Sequence, residues 1–115
     1  MADAWRSLGK VTVASAGTLQ RITANETDAT ARLSVHSILI QAWPTNAGKV
    51  YVCDRADAVR STGVGVLAVL AVPATNIIPS ASATITFASA AINAAQYWVD
   101  ADTSGDAVLV SVIEV

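Results

Sequence analysis

Residues 35–54 read VHSILIQAWPTNAGKVYVCD, a stretch in which two runs rich in Val and Ile flank a short polar turn. β-Branched residues are stiff at the first side-chain torsion and fit a pleated sheet, so both runs are predicted strands. Between them, Pro44 ends a strand, Asn46 favours a bend and Gly48 can adopt a positive φ. The stretch therefore predicts an antiparallel hairpin.

The same pattern recurs along the chain, where short apolar runs are separated by Gly, Pro, Asn and Ser. Such runs, spaced by roughly 8–15 residues, are typical of an antiparallel sandwich or barrel. We predict eight strands, namely KVTVA from Lys10, LQRIT from Leu19, VHSILIQAW from Val35, KVYVCD from Lys49, VGVLAVLAV from Val64, ATITFA from Ala83, QYWVDA from Gln96 and AVLVSVIEV from Ala107.

With 115 residues the chain is long enough for one domain with a hydrophobic core and too short for two. Residues 1–9 lack a strand pattern and are predicted to form an N-terminal arm or a single helical turn, followed by one β-domain over residues 10–115. Trp5 and Leu8 would anchor this arm, either against the protein's own core or against a neighbouring molecule. Both alternatives are open at this point.

Apolar residues occupy both faces of some predicted strands. In the last strand the two faces carry Val108, Val110 and Val112 on one side and Leu109 and Ile113 on the other. A strand that is apolar on both faces is usually covered on both sides. We therefore expect a second sheet to cover one face and a partner or another copy of the chain to cover the other.

Composition argues against two classes of partner. The seven Lys and Arg residues are scattered singly along a chain of net charge −2, so no basic stripe is available for nucleic acid or a membrane surface. The longest apolar run, Val64–Val72, is far shorter than the ~20 residues that span a bilayer. The N-terminus shows no basic region followed by an apolar one, which predicts synthesis in a cytosol.

Groups able to carry out catalysis are scarce, because the chain has one His, one Cys and two Glu. His36 is predicted to share a strand face with Ile38 and Ile40, without a second His or Cys at metal-ligand spacing. Cys53 has no base partner in the sequence and is predicted to be a buried small hydrophobe. We therefore expect no enzymatic activity, no catalytic residue and no cofactor.

An acidic run, DADTSGD, spells the first half of a calcium loop. Asp100, Asp102 and Gly105 stand at its first, third and sixth places, but Ser111 occupies the twelfth place, where a bidentate Glu belongs. We expect a hairpin turn between two strands, with Gly105 in the left-handed conformation. A weak cation site at Asp100, Asp102 and Asp106, within one chain or between copies, is the open alternative.

Charges of alternating sign cluster in the segment DRADAVRSTG, which follows Cys53. A solvated loop explains the pattern most simply. Alternatively, Arg55 and Arg60 suit the polar rim of an interface, because the segment adjoins apolar strands.

Three segments carry a resemblance to a known family: KVTVASAGTLQRIT, HSILIQAWPTNAGKVYVCD and AAQYWVDADTSGDAVLVSVIEV. Their shared features are a first strand followed by Gly-Thr, a central Asn-x-Gly-Lys-x-Tyr-Val and a final Trp-x-Asp-Ala-Asp-x-x-Gly-Asp. Together they resemble tailed-bacteriophage capsid decoration (cement) proteins, which are small head-associated β-proteins. One departure is Cys53, where such sequences tend to carry Gly.

This resemblance implies a β-sandwich, jelly-roll-like protein that binds the outer surface of an icosahedral head and stabilises contacts between capsomers. The implied partners are the major capsid protein and other copies of the chain, as a dimer or trimer, on a virion assembled in the host cytoplasm. Candidate contact residues are Trp5, Leu8, Trp43, Pro44, Arg55 and Arg60.

An alternative function is a carbohydrate- or cell-surface-binding β-domain associated with a phage fibre or tail. Such a domain requires aromatic residues exposed on one face, and Tyr51, Tyr97 and Trp98 are the available ones. Tyr97 and Trp98 are neighbours in one strand and are predicted to point to opposite faces, which disfavours a sugar-binding platform.

Overall fold

The computed structural model describes residues 5–72, 82–86 and 91–115 of the chain. Within these ranges the chain forms one turn of 3₁₀ helix, Ala94–Gln96, and nine strands. The strands are β1 (Trp5–Thr12), β2 (Gln20–Arg21), β3 (Ser34–Ala42), β4 (Val50–Cys53), β5 (Val66–Leu70), β6 (Ser82–Thr86), β7 (Ile92–Asn93), β8 (Trp98–Ala101) and β9 (Ala107–Glu114). In this part of the chain no helix has the length and apolar character needed to cross a membrane.

The strands form two antiparallel sheets. The first sheet has the order β1-β9-β3-β6, and β7 also pairs with β3; the second sheet has the order β2-β8-β4-β5. One cluster of buried apolar residues joins the two sheets, with β9 contributing Val110 and Val112 and the second sheet contributing Val50, Val52 and Val99. The predicted all-β sandwich is therefore confirmed.

Each of the eight predicted runs overlaps a strand of the structure. The agreement follows from residue type, since Val, Ile and Thr favour the pleated conformation wherever one face is buried. The two-residue strand β7 was not predicted, because a segment of two residues carries no detectable alternation.

The predicted boundary of an N-terminal arm at residue 9 is wrong. Strand β1 begins at Trp5 and pairs with β9 along its whole length, so residues 5–9 belong to the sandwich. A β-bulge between Ser7 and Gly9, where Gly9 has a φ of 84°, breaks the alternation that would have revealed the strand. Leu8, at this bulge, is buried in the core.

The predicted hairpin between β3 and β4 is also wrong. β3 lies in the first sheet and β4 in the second, so the connection from Trp43 to Lys49 crosses from one sheet to the other. Gly48 is not among the glycines of positive φ. Glycine suits this position for a steric reason, because a Cβ atom on residue 48 would lie 2.7 Å from Thr103 Oγ1.

The acidic run is a second connection of this kind. It leads from β8 in the second sheet to β9 in the first, so the expected hairpin is absent there too. Gly105 does adopt the predicted left-handed conformation, with a φ of 93°. Turn chemistry was therefore correctly predicted, whereas the pairing of the flanking strands was not.

Two glycines in the loop before β5 allow a matched test of packing. Gly63 and Gly65 have φ values of 79° and 78°, but only a Cβ atom at Gly65 would meet neighbours, at 2.8 Å from Arg55 Cγ and 2.9 Å from Ala58 Cβ. We expect Gly63→Ala to lower the free energy of unfolding by about 1 kcal/mol and Gly65→Ala by about 2–3 kcal/mol. Urea denaturation measures both, and equal losses would show that the contacts at Gly65 relax without cost.

Candidate functional site

The two inter-sheet connections are bonded to each other by buried polar groups. The carboxylate of Asp106 accepts hydrogen bonds from the backbone N–H of Ala47 at 3.0 Å and of Gly48 at 2.7 Å. Asn46 donates to the carbonyl oxygen of Ala107 and accepts from its N–H, both at 2.8 Å. Asn46 and Asp106 are buried. These bonds satisfy the backbone groups that strand pairing leaves open at the corner.

Asp100 and Arg60 connect the outer side of the second sheet to its covering loop. Asp100 is only 2% exposed and accepts from Gly17 N at 2.8 Å and from Arg60 Nη1 at 3.1 Å. Arg60 Nε also lies 3.2 Å from Asp102 Oδ1, and the Tyr51 hydroxyl donates to Asp102 at 3.1 Å. The hydrogen bond with Asp100 raises the pKa of the Arg60 guanidinium, so Arg60 stays charged.

A cleft of about 300 Å³ opens beside this ion pair, lined by Gly17, Ala58, Val59, Arg60, Ser61 and Asp100. The two charged groups of its wall are bonded to each other. Their charges therefore neutralise each other, and loss of either partner would leave the other charge unpaired.

The three carboxylates of the acidic run thus divide between two sets of partners. Asp106 binds backbone N–H groups of one connection, whereas Asp100 and Asp102 bind Arg60. In the described ranges, no group of three or more His, Cys, Asp or Glu side chains is arranged to hold a metal ion. A calcium loop within one chain gains no support, and a cation held between copies stays a prediction.

On the outer face of the first sheet, several apolar side chains are partly uncovered. Along β9, Val108, Val110 and Val112 are fully buried, whereas the intervening Leu109 and Ile113 are half-buried. Because side chains alternate along a strand, Leu109 and Ile113 lie on the side of the sheet that faces away from the core.

Paired neighbours extend this surface across β1 and β3. By strand register, Trp5 lies beside Ile113, and Ser7, Ser111 and Leu39 form the next outward row. Lys10, Leu109 and Gln41 form the row after that. We call this surface the outer face and define it by Trp5, Leu39, Leu109, Ile113, Lys10 and Trp43.

A tryptophan stands at each end of the outer face. Trp5 is 52% exposed, and Trp43 is half-buried with the Lys10 ammonium 4.5 Å from its ring centroid. The backbone N–H of Trp43 donates to the carbonyl oxygen of Ala107 at 3.0 Å. From Ile113 to Ala107 the strand advances about 20 Å at ~3.4 Å per residue, which is the approximate length of the surface.

Ion pairs hold the strand ends next to Trp5. Arg6 Nη2 lies 2.6 Å from Glu26 Oε1, and Arg6 Nη1 lies 2.9 Å from Glu114 Oε1. Register pairs Arg6 with the buried Val112, so these ion pairs lie on the core side of the sheet and not around the outer face.

The structure separates the six predicted contact residues. Trp5 lies exposed on the outer face, and Trp43 with Pro44 lies half-buried at the opposite end. Leu8 is wrong as a contact residue, because it is 4% exposed in the core. The two arginines lie on the side of the second sheet. Arg55 is exposed and forms an ion pair with Asp54, whereas Arg60 forms one with Asp100.

The two remaining reactive side chains have structural surroundings. Cys53 is buried as predicted, and burial, followed by the charges of Asp100 and Asp54, raises the pKa of its thiol to about 11. His36 is half-buried rather than in the core. The prediction that it shares the face of Ile38 is wrong, because a β-bulge between Val35 and Ser37 shifts the alternation.

Leu39, Leu109 and Ile113 were missed as individual site residues. The sequence did carry a signal for them, because apolar residues on both faces of β9 predicted that a partner covers the outer face. What the sequence lacked was the strand order that places β1, β9 and β3 side by side. A scan against models of known protein families and a search of the curated proteins both found no match to this chain.

Proposed function

We propose that the protein is a non-enzymatic capsid decoration protein, which binds the outside of an icosahedral phage head through its outer face. The observation that carries the proposal is the surface from Trp5 to Trp43, with half-buried Leu and Ile between the two tryptophans. Trp is strongly enriched among residues that dominate binding energy at interfaces. The resemblance of three segments to cement proteins supplies the partner, the major capsid protein.

Rigidity of the outer face favours tight binding. All of its residues except Trp43 lie on three paired strands, and Trp43 is held by Lys10 and by a backbone hydrogen bond. Side chains that are already ordered lose little conformational entropy when a partner binds.

Stabilisation of the head would follow from linkage. A protein that binds only the assembled shell shifts the equilibrium towards that shell by mass action. Many copies that each bridge neighbouring capsomers add their contributions, so a modest affinity per copy suffices.

The three rings named for the carbohydrate-binding alternative do not form a platform. Trp98 is 8% exposed and lies under the Arg21 guanidinium, 4.7 Å from its ring centroid. The Tyr51 hydroxyl is bonded to Asp102, and Tyr97 packs against the core. None of the three rings is free to stack on a sugar.

Trp5→Ala is expected to weaken binding to empty expanded phage heads by roughly 30-fold or more, the effect of losing an interface anchor. The variant should keep its thermal stability, because the Trp5 ring is 52% exposed. Co-sedimentation with the heads gives the affinity and the number of copies bound per capsid subunit. Arg55→Ala, exposed on the other side of the sandwich, is the matched control.

Two results would contradict the proposal. One is equal binding of Trp5→Ala, Arg55→Ala and the unmodified protein to the heads. The other is saturable binding to polysaccharide or whole cells without binding to heads, which would favour the carbohydrate-binding alternative.

A further inference from the structure

Among the residues that define the outer face, Lys10 is the one that carries a formal charge. Its neighbours in the same row are Leu109 and Gln41, and the ion pairs of Arg6 lie on the core side of the sheet. Next to β3 lies β6, which belongs to residues 61–99, a part of the sequence without Lys, Arg, Asp or Glu. The outer face is therefore locally positive on a chain of net charge −2.

The Lys10 ammonium forms no ion pair with a carboxylate in the described part of the chain. It is exposed and lies 4.5 Å from the centroid of the Trp43 ring. The carbonyl oxygen of Lys10 accepts a hydrogen bond from the Asn25 side chain at 2.8 Å, which holds the backbone of β1 at this point. An ammonium has three N–H donors, and an aromatic ring on one side leaves the others for water or a partner.

Covering the outer face would change the surroundings of this ammonium. A charge that loses its water without gaining a counter-charge is strongly unfavourable, so a partner that meets Lys10 with an anionic group binds better than one without it. Nucleic acid is a poor source of that group, because a single cation among apolar side chains neutralises only one phosphate. An Asp or Glu side chain within an apolar protein surface matches both the charge of Lys10 and its neighbours Leu109 and Trp43.

We infer that the protein surface which binds the outer face presents an Asp or Glu carboxylate to the Lys10 ammonium, beside the Trp43 ring. This inference rests on the proposed function, which supplies the capsid protein as the partner, and it adds the chemistry by which that partner is recognised. A surface without the carboxylate would leave Lys10 uncompensated. Lys10 therefore contributes to specificity as well as to affinity.

Cross-linking with a carbodiimide tests the contact directly, because this reagent joins an amine to a carboxylate only when the two groups touch. The unmodified protein bound to empty expanded phage heads is treated with the reagent, digested and examined by mass spectrometry. We expect a peptide that contains Lys10 to be joined to an Asp or Glu of the capsid protein. Lys49, which is exposed and precedes β4 of the second sheet, is the matched control and should not be joined to it.

Substitution of Lys10 gives the energetic counterpart. Lys10→Met should weaken binding to the heads by roughly 10-fold, because the partner carboxylate would lose its counter-charge. Met still packs on the Trp43 ring, so the variant should fold, which circular dichroism and the Tm can verify. Added salt should weaken binding of the unmodified protein more than that of Lys10→Met, since only the former has a charge pair to screen. Lys49→Met is the matched control and should bind like the unmodified protein.

The outcomes separate this inference from capsid binding itself. If the unmodified protein and Lys10→Met bind the heads equally and Lys10 forms no cross-link, the inference is wrong while capsid binding stands. If Lys10→Glu binds more tightly than Lys10→Met, the partner group is cationic, which also overturns the inference. If the unmodified protein does not bind the heads, both the inference and the proposed function are wrong.

Discussion

Asp100→Ala is expected to lower the free energy of unfolding by about 3–4 kcal/mol, since it removes a buried acceptor from three donors. The donors are Gly17 N at 2.8 Å, Ala101 N at 2.8 Å and Arg60 Nη1 at 3.1 Å. The loss should exceed that of an ordinary surface ion pair, because Asp100 is 2% exposed and Arg60 would lose its charged partner. Urea denaturation followed by circular dichroism measures the change.

Asp102→Ala is the matched control within the same acidic run. Its side chain is 43% exposed and contacts Arg60 and the Tyr51 hydroxyl. Exposed pairs contribute little, so we expect a loss of about 1 kcal/mol or less. Equal losses for Asp100→Ala and Asp102→Ala would show that burial of the Asp100 carboxylate is unimportant.

Asp106→Ala is expected to lower the free energy of unfolding by about 2–3 kcal/mol, because the N–H groups of Ala47 and Gly48 would lose their acceptor in a partly buried corner. Asn46→Ala should have a similar effect through its two bonds to Ala107. Since both changes disrupt one corner, the double variant should lose less than the sum of the two single losses. Urea denaturation of the three variants provides the measurement.

Asp57→Ala, at an exposed loop position, serves as the control and should change stability by less than about 0.5 kcal/mol. A stability measurement with added Ca²⁺ could contradict this structural role of Asp106. If Ca²⁺ raised the Tm of the unmodified protein and Asp106→Ala abolished that rise, the acidic run would be a cation site rather than a structural corner.

Short-range patterns explain which parts of the prediction succeeded. The strands around Ile38, Ile40 and Val52 were predicted because β-branched residues favour the sheet wherever they occur. The left-handed Gly105 was predicted because turn residues act locally. Leu8 was misassigned, because the β-bulge that turns it into the core depends on the partner strand β9.

The candidate site was only partly predictable for the same reason. Trp5 was recognisable as the aromatic anchor of the predicted arm, and Trp43 as a large aromatic residue at a predicted strand end. Leu39, Leu109 and Ile113 form one surface with them only because β9 lies between β1 and β3. Pairing partners so far apart in the chain are chosen by packing of the whole core, and local periodicity does not report them.

By itself, the sequence determined the all-β class, the approximate strands and the turn at Gly105, because each depends on residue type and short-range spacing. Tertiary structure decided where the two polar connections lead. PTNAG and DTSGD both look like hairpin turns, yet each crosses between sheets, and Asp106 joins them through Ala47 and Gly48. A turn constrains the direction of the chain, but only the apolar core decides which sheet the next strand enters.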